Sequence, residues 1–267
     1  MTVATSFQPS HAADTSTLCA RAIETDRIYF ELGARVQQLP GAVLAWVPEL
    51  TASPAGAVVH RVDPAAIAEL GEAWVRQTER ALRDVGARMA RIYCDERGAA
   101  DDLLRSAGYV DRDELVFVHG LTESAPGLTL RPVRSDEDWK RKLDFHAAVH
   151  ETPDGHDHRP SEWVALERMK CADGMEAFLA ALDGETVGAV CAVWGDGLLR
   201  IKNLVVHSAY RRRSIGRALL FQIAAIGRER GVSEQCILAV RGDAGEMLYR
   251  SAGMQVVGTQ VEWSKQL

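Results

Sequence analysis

The sequence predicts a mixed α/β (α+β) protein made of two related units in tandem, each a mixed, twisted sheet flanked by helices. Three observations carry this reading. Helix and strand signals alternate along all 267 residues. The tetrapeptide Arg-Ser-Ala-Gly occurs at 105–108 and again at 250–253, and the same offset of 145 places Gly86 and Ile92 opposite Gly231 and Ile237. A turn-rich segment, "HGLTESAPGLT" (119–129), separates the two series. The expected division is a loose tail over 1–15, a first unit over 16–122 and a second over 123–267.

In the first unit, residues 18–37 read as a helix, and "GAVLAWV" (41–47) and "AGAVVH" (55–60) read as strands. Asp63-Pro64 supplies a cap and a first-turn proline for a long helix reaching about Val85, where Gly86 stops it. "ARMARIYC" (87–94) is a strand, residues 98–107 are a short helix closed by Gly108, and "YVDRDELVFV" (109–118) alternates as a strand. The second unit restarts with the strand "LTLRPV" (128–133). Ser135 and Asp138 form an acidic variant of a capping box ahead of a helix to His150, and a further helix covers 160–172. "MEAFLAAL" and "ETVGAVCAVW" flank Asp183-Gly184 as a hairpin. The strand "LLRIKNLVV" (198–206), a helix to Arg230, the strand "EQCILAV" (234–240), a short helix and a last strand to Trp263 complete the unit. Val58-Val59-His60 precedes Val205-Val206-His207 by 147 residues, so the two series run in the same order.

Composition narrows the function classes. The chain is 47% hydrophobic and 25% charged, an ordinary globular balance. A net charge of -6 opposes a nucleic-acid partner, because such proteins usually present a basic face over a whole domain. Five scattered cysteines form no CxxC pair, and their odd number argues against a disulfide framework, so the thiols are expected to be reduced and the protein cytoplasmic. The first residues lack the charged start and apolar run of a signal peptide, and no apolar run has the length of a membrane helix, so no membrane role is expected. The expected assembly is a monomer or homodimer.

One segment carries chemistry. In "VVHSAYRRRSIGRALL" (205–220) a buried strand ends, a loop with three successive arginines follows, and a helix begins near Ser214-Ile215-Gly216. The first amides of that helix lack intrahelical partners and the helix dipole adds positive character, so the turn suits a phosphate group. Gly216 allows close approach to the backbone, and Arg211, Arg212, Arg213 and Arg217 surround it with charge. No G-x-G-x-x-G and no G-K-[ST] is present, which removes the dinucleotide and Walker alternatives.

This segment resembles the acyl-CoA pyrophosphate loop of the GNAT superfamily of N-acetyltransferases, whose pattern is Arg/Gln-x-x-Gly-x-Gly/Ala between a strand and a helix. Arg211 matches the first position, Ser214 stands where glycine is usual, and Gly216 matches the last. "EMLYRSAGM" (246–254) resembles the second signature of the family, a tyrosine ahead of the glycine that closes the short helix. The resemblance covers 128–267 and implies a GNAT fold with acetyl-CoA as co-substrate and no metal. It implies donor contacts from Leu204, Val205, Val206, Arg211, Arg212, Arg213, Ser214, Ile215, Gly216 and Arg217. Asp243 is a stand-in for a frequent asparagine, whose usual position is Gly242 here. The first unit has no such loop: Asp63 sits where phosphate would lie and Leu104 replaces the tyrosine, so it resembles a degenerate copy.

The family reaction is direct transfer of the acyl group to an amine. The resemblance implies that backbone amides near Val205 bind the thioester oxygen and that Tyr249 acts as general acid. The expected acceptor is a primary amine of a small molecule. A non-catalytic acyl-CoA-binding regulatory module, or acetylation of a peptide or protein amine, stays open. For the base, the strand "RIKN" lacks the glutamate some relatives use, so the candidates are Glu151 or His156 in "HETPDGHDHRP". That run also admits a zinc reading or a plain polar loop.

Overall fold

The computed structural model describes residues 14–98, 100–120, 127–150, 159–195, 197–232 and 234–267. The expected tail therefore falls outside the described residues up to position 13, as does most of the turn-rich segment at 121–126.

The first half opens with α1 (Thr15–Glu31), capped by Asp14, whose side chain accepts from the Ser16 amide. This helix is shorter than the 18–37 expected from sequence. Gly33 takes φ +66, and β1 (Arg35–Leu39) then pairs with β2 (Ala42–Trp46). Residues 35–38 are exposed, so no burial alternation marks them as a strand and only the pairing reveals it. Next come β3 (Ala57–His60), α2 (Pro64–Leu70), α3 (Glu72–Asp84), β4 (Met89–Cys94), α4 (Ala100–Ser106) and β5 (Val110–Gly120). The single long helix expected after Asp63 is two helices, because Gly71 leaves helical geometry at φ +53 and ψ -132.

The second half adds β6 (Thr129–Pro132) and α5 (Asp136–His150) and then follows the same order with α6 (Pro160–Ala172), β7 (Glu176–Leu182), β8 (Glu185–Gly195), β9 (Leu198–Val206), α7 (Ile215–Glu229), β10 (Glu234–Val240), α8 (Ala244–Ser251) and β11 (Gln255–Gln266). Among the described residues eleven strands form one mixed sheet, in the order β1-β2-β3-β4-β11-β5-β10-β9-β8-β7-β6.

That order contains an exchange. The last strand of the first half, β5, pairs antiparallel with β10 of the second half, Leu238 opposite Val116. The last strand of the second half, β11, pairs antiparallel with β4 of the first, Trp263 opposite Ile92. The two exchanged strands pair with each other at the centre. Each half completes the other's core. Trp263 and Val261 pack beneath α3 and α4 with Trp74, Leu82 and Leu104, whereas Leu115 and Phe117 pack with Leu219, Ile223 and Tyr249 beneath α7 and α8. At roughly 1.5–3 kcal/mol per fully buried large apolar side chain, these contacts make the halves interdependent. The helix α1 crosses the opposite face of the sheet, touching β5, β8, β9 and β11.

Candidate active site

The site begins where two parallel strands separate. β9 and β10 pair only from Leu198–Glu234 to Arg200–Cys236. Beyond Arg200, β9 continues to Val206 without β10, so its peptide groups on that side lack a strand partner. β9 also bulges. Lys202 lies opposite Cys191 and Val205 opposite Ala189, so Asn203 and Leu204 face the single residue Val190. Asn203 adopts φ +53, and its side-chain amide donates to Glu167 Oε1 at 2.8 Å. Glu167 is fully buried, its other oxygen 3.1 Å from the buried Lys142 ammonium. This ion pair anchors the bulge from below.

The loop after β9 carries the basic segment. Arg212 and Ser214 are both left-handed, at φ +63 and +60. Alternation of this kind turns successive amides toward one side and favours an anion. Ser214 precedes α7 without a side-chain cap bond, so the first amides of that helix stay open. In the first half the corresponding helix is closed, because Asp63 accepts from the Ala65 amide at 2.9 Å. The carboxylate occupies the place an external anion would take, and Leu104, at the position of Tyr249, is core.

One cleft of about 1030 Å³ gathers Leu204, Val205, Val206, Arg211, Arg212, Ser214, Ile215, Gly216, Arg217, Asp243 and Tyr249. Arg213 instead lines a neighbouring hollow beside Leu128 and Phe221, with its guanidinium over the Tyr210 ring at 5.3 Å. Gly216 has a second reason to be glycine: a Cβ there would lie 2.8 Å from Leu248 Cδ2, so its absence lets α7 and α8 meet. Asp243 caps α8 by accepting from Ala244. Tyr249 is 7% exposed, its ring edge-on to Phe117 at 5.6 Å. Burial pushes its phenol well above the usual value, so the hydroxyl stays protonated at neutral pH.

A second, smaller pocket of about 110 Å³ lies on the α1 face of the sheet. Lys202 and the bulged Asn203 form part of its wall, with Tyr29, Phe30, Trp46 and Tyr93 as aromatic lining. The large cleft and the small pocket therefore share β9, one beginning at Leu204 and the other ending at Asn203. Glu114 and Lys170 also line the small pocket. The Lys170 ammonium donates to the carbonyls of Tyr29 at 2.6 Å and Leu32 at 3.1 Å, closing the C-terminus of α1, and burial pushes its pKa down to about 7.

The sequence-derived bases, Glu151 and His156, lie outside the described residues. Among the described residues no group of three or more His, Cys, Asp or Glu could hold a metal ion, and no helix is long and apolar enough to cross a membrane. The sequence reading missed Glu114. In "DRDELVFV" it sits at an alternating position that looks solvent-facing, and its only signal is a charge directly before a buried apolar run.

Residues 141–253 match the family model described as the Acetyltransferase (GNAT) family. This part of the chain is a GNAT acetyltransferase domain. Its family catalyses acyl-CoA-dependent acetylation, in agreement with the open helix N-terminus and the splayed strands. Solved structures extend the likeness over nearly the whole fold. A conserved protein of unknown function from Staphylococcus epidermidis aligns with 90% of this chain and 96% of its own, at TM-score 0.66 and 14% identity. A GCN5-related N-acetyltransferase from Sphaerobacter thermophilus aligns with 85% of this chain and 76% of its own, at TM-score 0.61 and 22% identity. A tandem GNAT protein from the clavulanic acid biosynthesis pathway aligns with 93% and 88%, at TM-score 0.56 and 13% identity. At these identities the likeness is one of fold. No curated protein matches the chain.

Proposed function

We propose that the protein transfers an acyl group from acetyl-CoA to the primary amine of a small molecule, using one donor site, in the second half. The observation that carries this reading is the placement of two cavities on either side of the β9 bulge. The larger, at about 1030 Å³, lies at the upper end of the roughly 300–1,000 Å³ range of ligand clefts. Its open α7 amides and the guanidinium groups of Arg211, Arg212 and Arg217 fit a pyrophosphate. The smaller, at about 110 Å³, suits a compact amine with an apolar body better than a peptide.

In this reading the β9 backbone near Val205 faces the donor carbonyl, where its unpaired peptide groups stabilise charge building on the thioester oxygen. The Tyr249 hydroxyl protonates the departing thiolate. The first half supplies structure and one wall of the acceptor pocket. Its helix N-terminus is closed by Asp63, which supports reading it as a degenerate copy.

The test is turnover. Purified protein given acetyl-CoA and a panel of small amines is expected to release CoA thiol and form an amide with at least one of them. Tight acetyl-CoA binding without thiol release for any amine would leave a regulatory binding module, and release only with peptide amines would move the acceptor class.

A further inference from the structure

The small pocket holds a carboxyl group with no partner. Among the described residues, Glu114 is the one acid in its lining, and no hydrogen bond or ion pair reaches its carboxylate. Cations stand on several sides, but each is engaged elsewhere. On β9, Arg200 and Lys202 both donate to Asp26 of α1, at 2.6 and 2.9 Å. Arg91 of β4 and Arg112 of β5 both donate to Glu262 of β11, at 2.8 and 2.6 Å. Lys170 of α6 is held by backbone carbonyls. A half-buried carboxyl left unpaired among satisfied charges is costly unless something else uses it.

Its position follows from the strand exchange. Glu114 belongs to the first half, yet on β5 it lies opposite Val240, the last residue of β10, where β10 has already separated from β9. Leu115 and Phe117 point into the core beneath α7, and Val116 and Val118 into the core beneath α1. Glu114 shares the parity of Val116, which directs it to the α1 face and into the pocket bounded by Lys202 and Asn203.

We propose that Glu114, carried across by the exchanged strand, takes the proton from the acceptor's ammonium group in the small pocket. This rests on the reading of the protein as an N-acetyltransferase. The acceptor enters as R–NH₃⁺, and one N–H proton passes to the Glu114 carboxylate. The neutral amine attacks the thioester carbon, a C–N bond forms and the C–S bond breaks. The nitrogen loses a second proton as the thiolate gains one through Tyr249, and Glu114 returns its proton to solvent. The products are the amide, CoA thiol and one proton. The environment suits the task. Burial raises the Glu114 pKa, Asp26 and Glu262 raise it further, and Lys202 and Arg112 oppose them. A carboxylate shifted upward is a better base toward an ammonium near neutral pH. Lys170 is the rival group in this pocket, but its three carbonyl contacts need it as a donor.

The experiment measures kcat/KM against pH for wild type and Glu114→Gln with the best amine of the panel, acetyl-CoA affinity by calorimetry, and Tm. Glu114→Gln is expected to lower kcat/KM about 10²–10⁴-fold and to abolish the acid limb, with acetyl-CoA affinity unchanged. Its Tm should be equal or higher, since an unpaired carboxylate is removed; a merely structural glutamate would lower it. Formate added to Glu114→Ala should restore rate in a concentration-dependent way. Full kcat/KM with an unchanged acid limb in Glu114→Gln, while wild type turns over, overturns the assignment and leaves the acetyltransferase reading standing. If Glu114→Gln fails to fold, the absence of formate rescue in a folded Glu114→Ala overturns it equally. Wild type that binds acetyl-CoA and acylates no amine overturns the functional reading and this assignment with it.

Discussion

Asp26→Asn tests how the first half holds β9 of the second. Asp26 lies on α1, 1% exposed, and its carboxylate accepts from Arg200 Nη2 at 2.6 Å and Lys202 Nζ at 2.9 Å. Arg200 is itself only 1% exposed, and both cations sit on β9 immediately before the bulge. Breaking a buried pair by removing one partner's charge costs about 3–5 kcal/mol, because the other charge stays buried without compensation. Asparagine retains one oxygen acceptor worth about 1 kcal/mol, so the expected loss at pH 7 is about 2–4 kcal/mol. Urea unfolding followed by tryptophan fluorescence measures it, with an unchanged m-value confirming that the same surface is exposed.

The pH dependence has a definite sign. Burial alone would raise the Asp26 pKa, but Lys202 and Arg200 hold it well below the usual carboxylate range. A depressed folded-state pKa gives stability that is present above the unfolded value near 4 and disappears as pH falls toward the folded value. The difference between wild type and Asp26→Asn should therefore be flat from about pH 7 to 5 and close by about 1.4 kcal/mol per unit below about pH 4. A variant within about 1 kcal/mol of wild type at pH 7, or a gap of the same size at pH 3, would refute the claim that this carboxylate neutralises β9.

Calorimetry should find one acetyl-CoA per chain, since Asp63 closes the first half's helix N-terminus; a stoichiometry of two contradicts that reading. Tyr249→Phe should lower kcat roughly 10- to 100-fold with acetyl-CoA affinity retained, and most with the poorest thiol leaving group. Unchanged kcat with every donor leaves Tyr249 as a packing residue. Replacing both Arg211 and Arg217 by alanine should weaken acetyl-CoA binding at least tenfold at low salt and less at high salt, because charge-assisted phosphate contacts are lost. Ser214→Gly should be neutral or stabilising by up to ~1 kcal/mol, since glycine takes φ +60 freely and the serine makes no cap bond. A loss of more than that would show the hydroxyl holding the loop.

What the sequence determined by itself is the loop and helix start that the proposed donor site uses. The elements that make them are neighbours in the chain, the strand end at Val205, the arginine loop and the open turn at Ser214, and the tyrosine at 249 is marked by its own local signature. A helix N-terminus and its cap are decided by a few adjacent residues, so the contrast between Ser214 and Asp63 was legible, as were most strands, the hairpin at Asp183-Gly184 and the helix stops at Gly86, Gly108, Gly231 and Gly253, but not the end of α1 or the break at Gly71. What only the tertiary structure decided is the small pocket proposed for the acceptor. The alternation in 109–118 and 255–263 is the same whether a last strand completes its own half or the other one, because a buried strand shows only that two faces are covered, not by what. The choice rests on partners far apart in sequence, such as Trp263 opposite Ile92 and Val116 opposite Leu238. That exchange brings Glu114 into the pocket beside Lys202 and Asn203, and the packing of α1 on β9 lets Asp26 reach Arg200 across 174 residues. Both juxtapositions depend on long-range packing, which local propensity and period do not record.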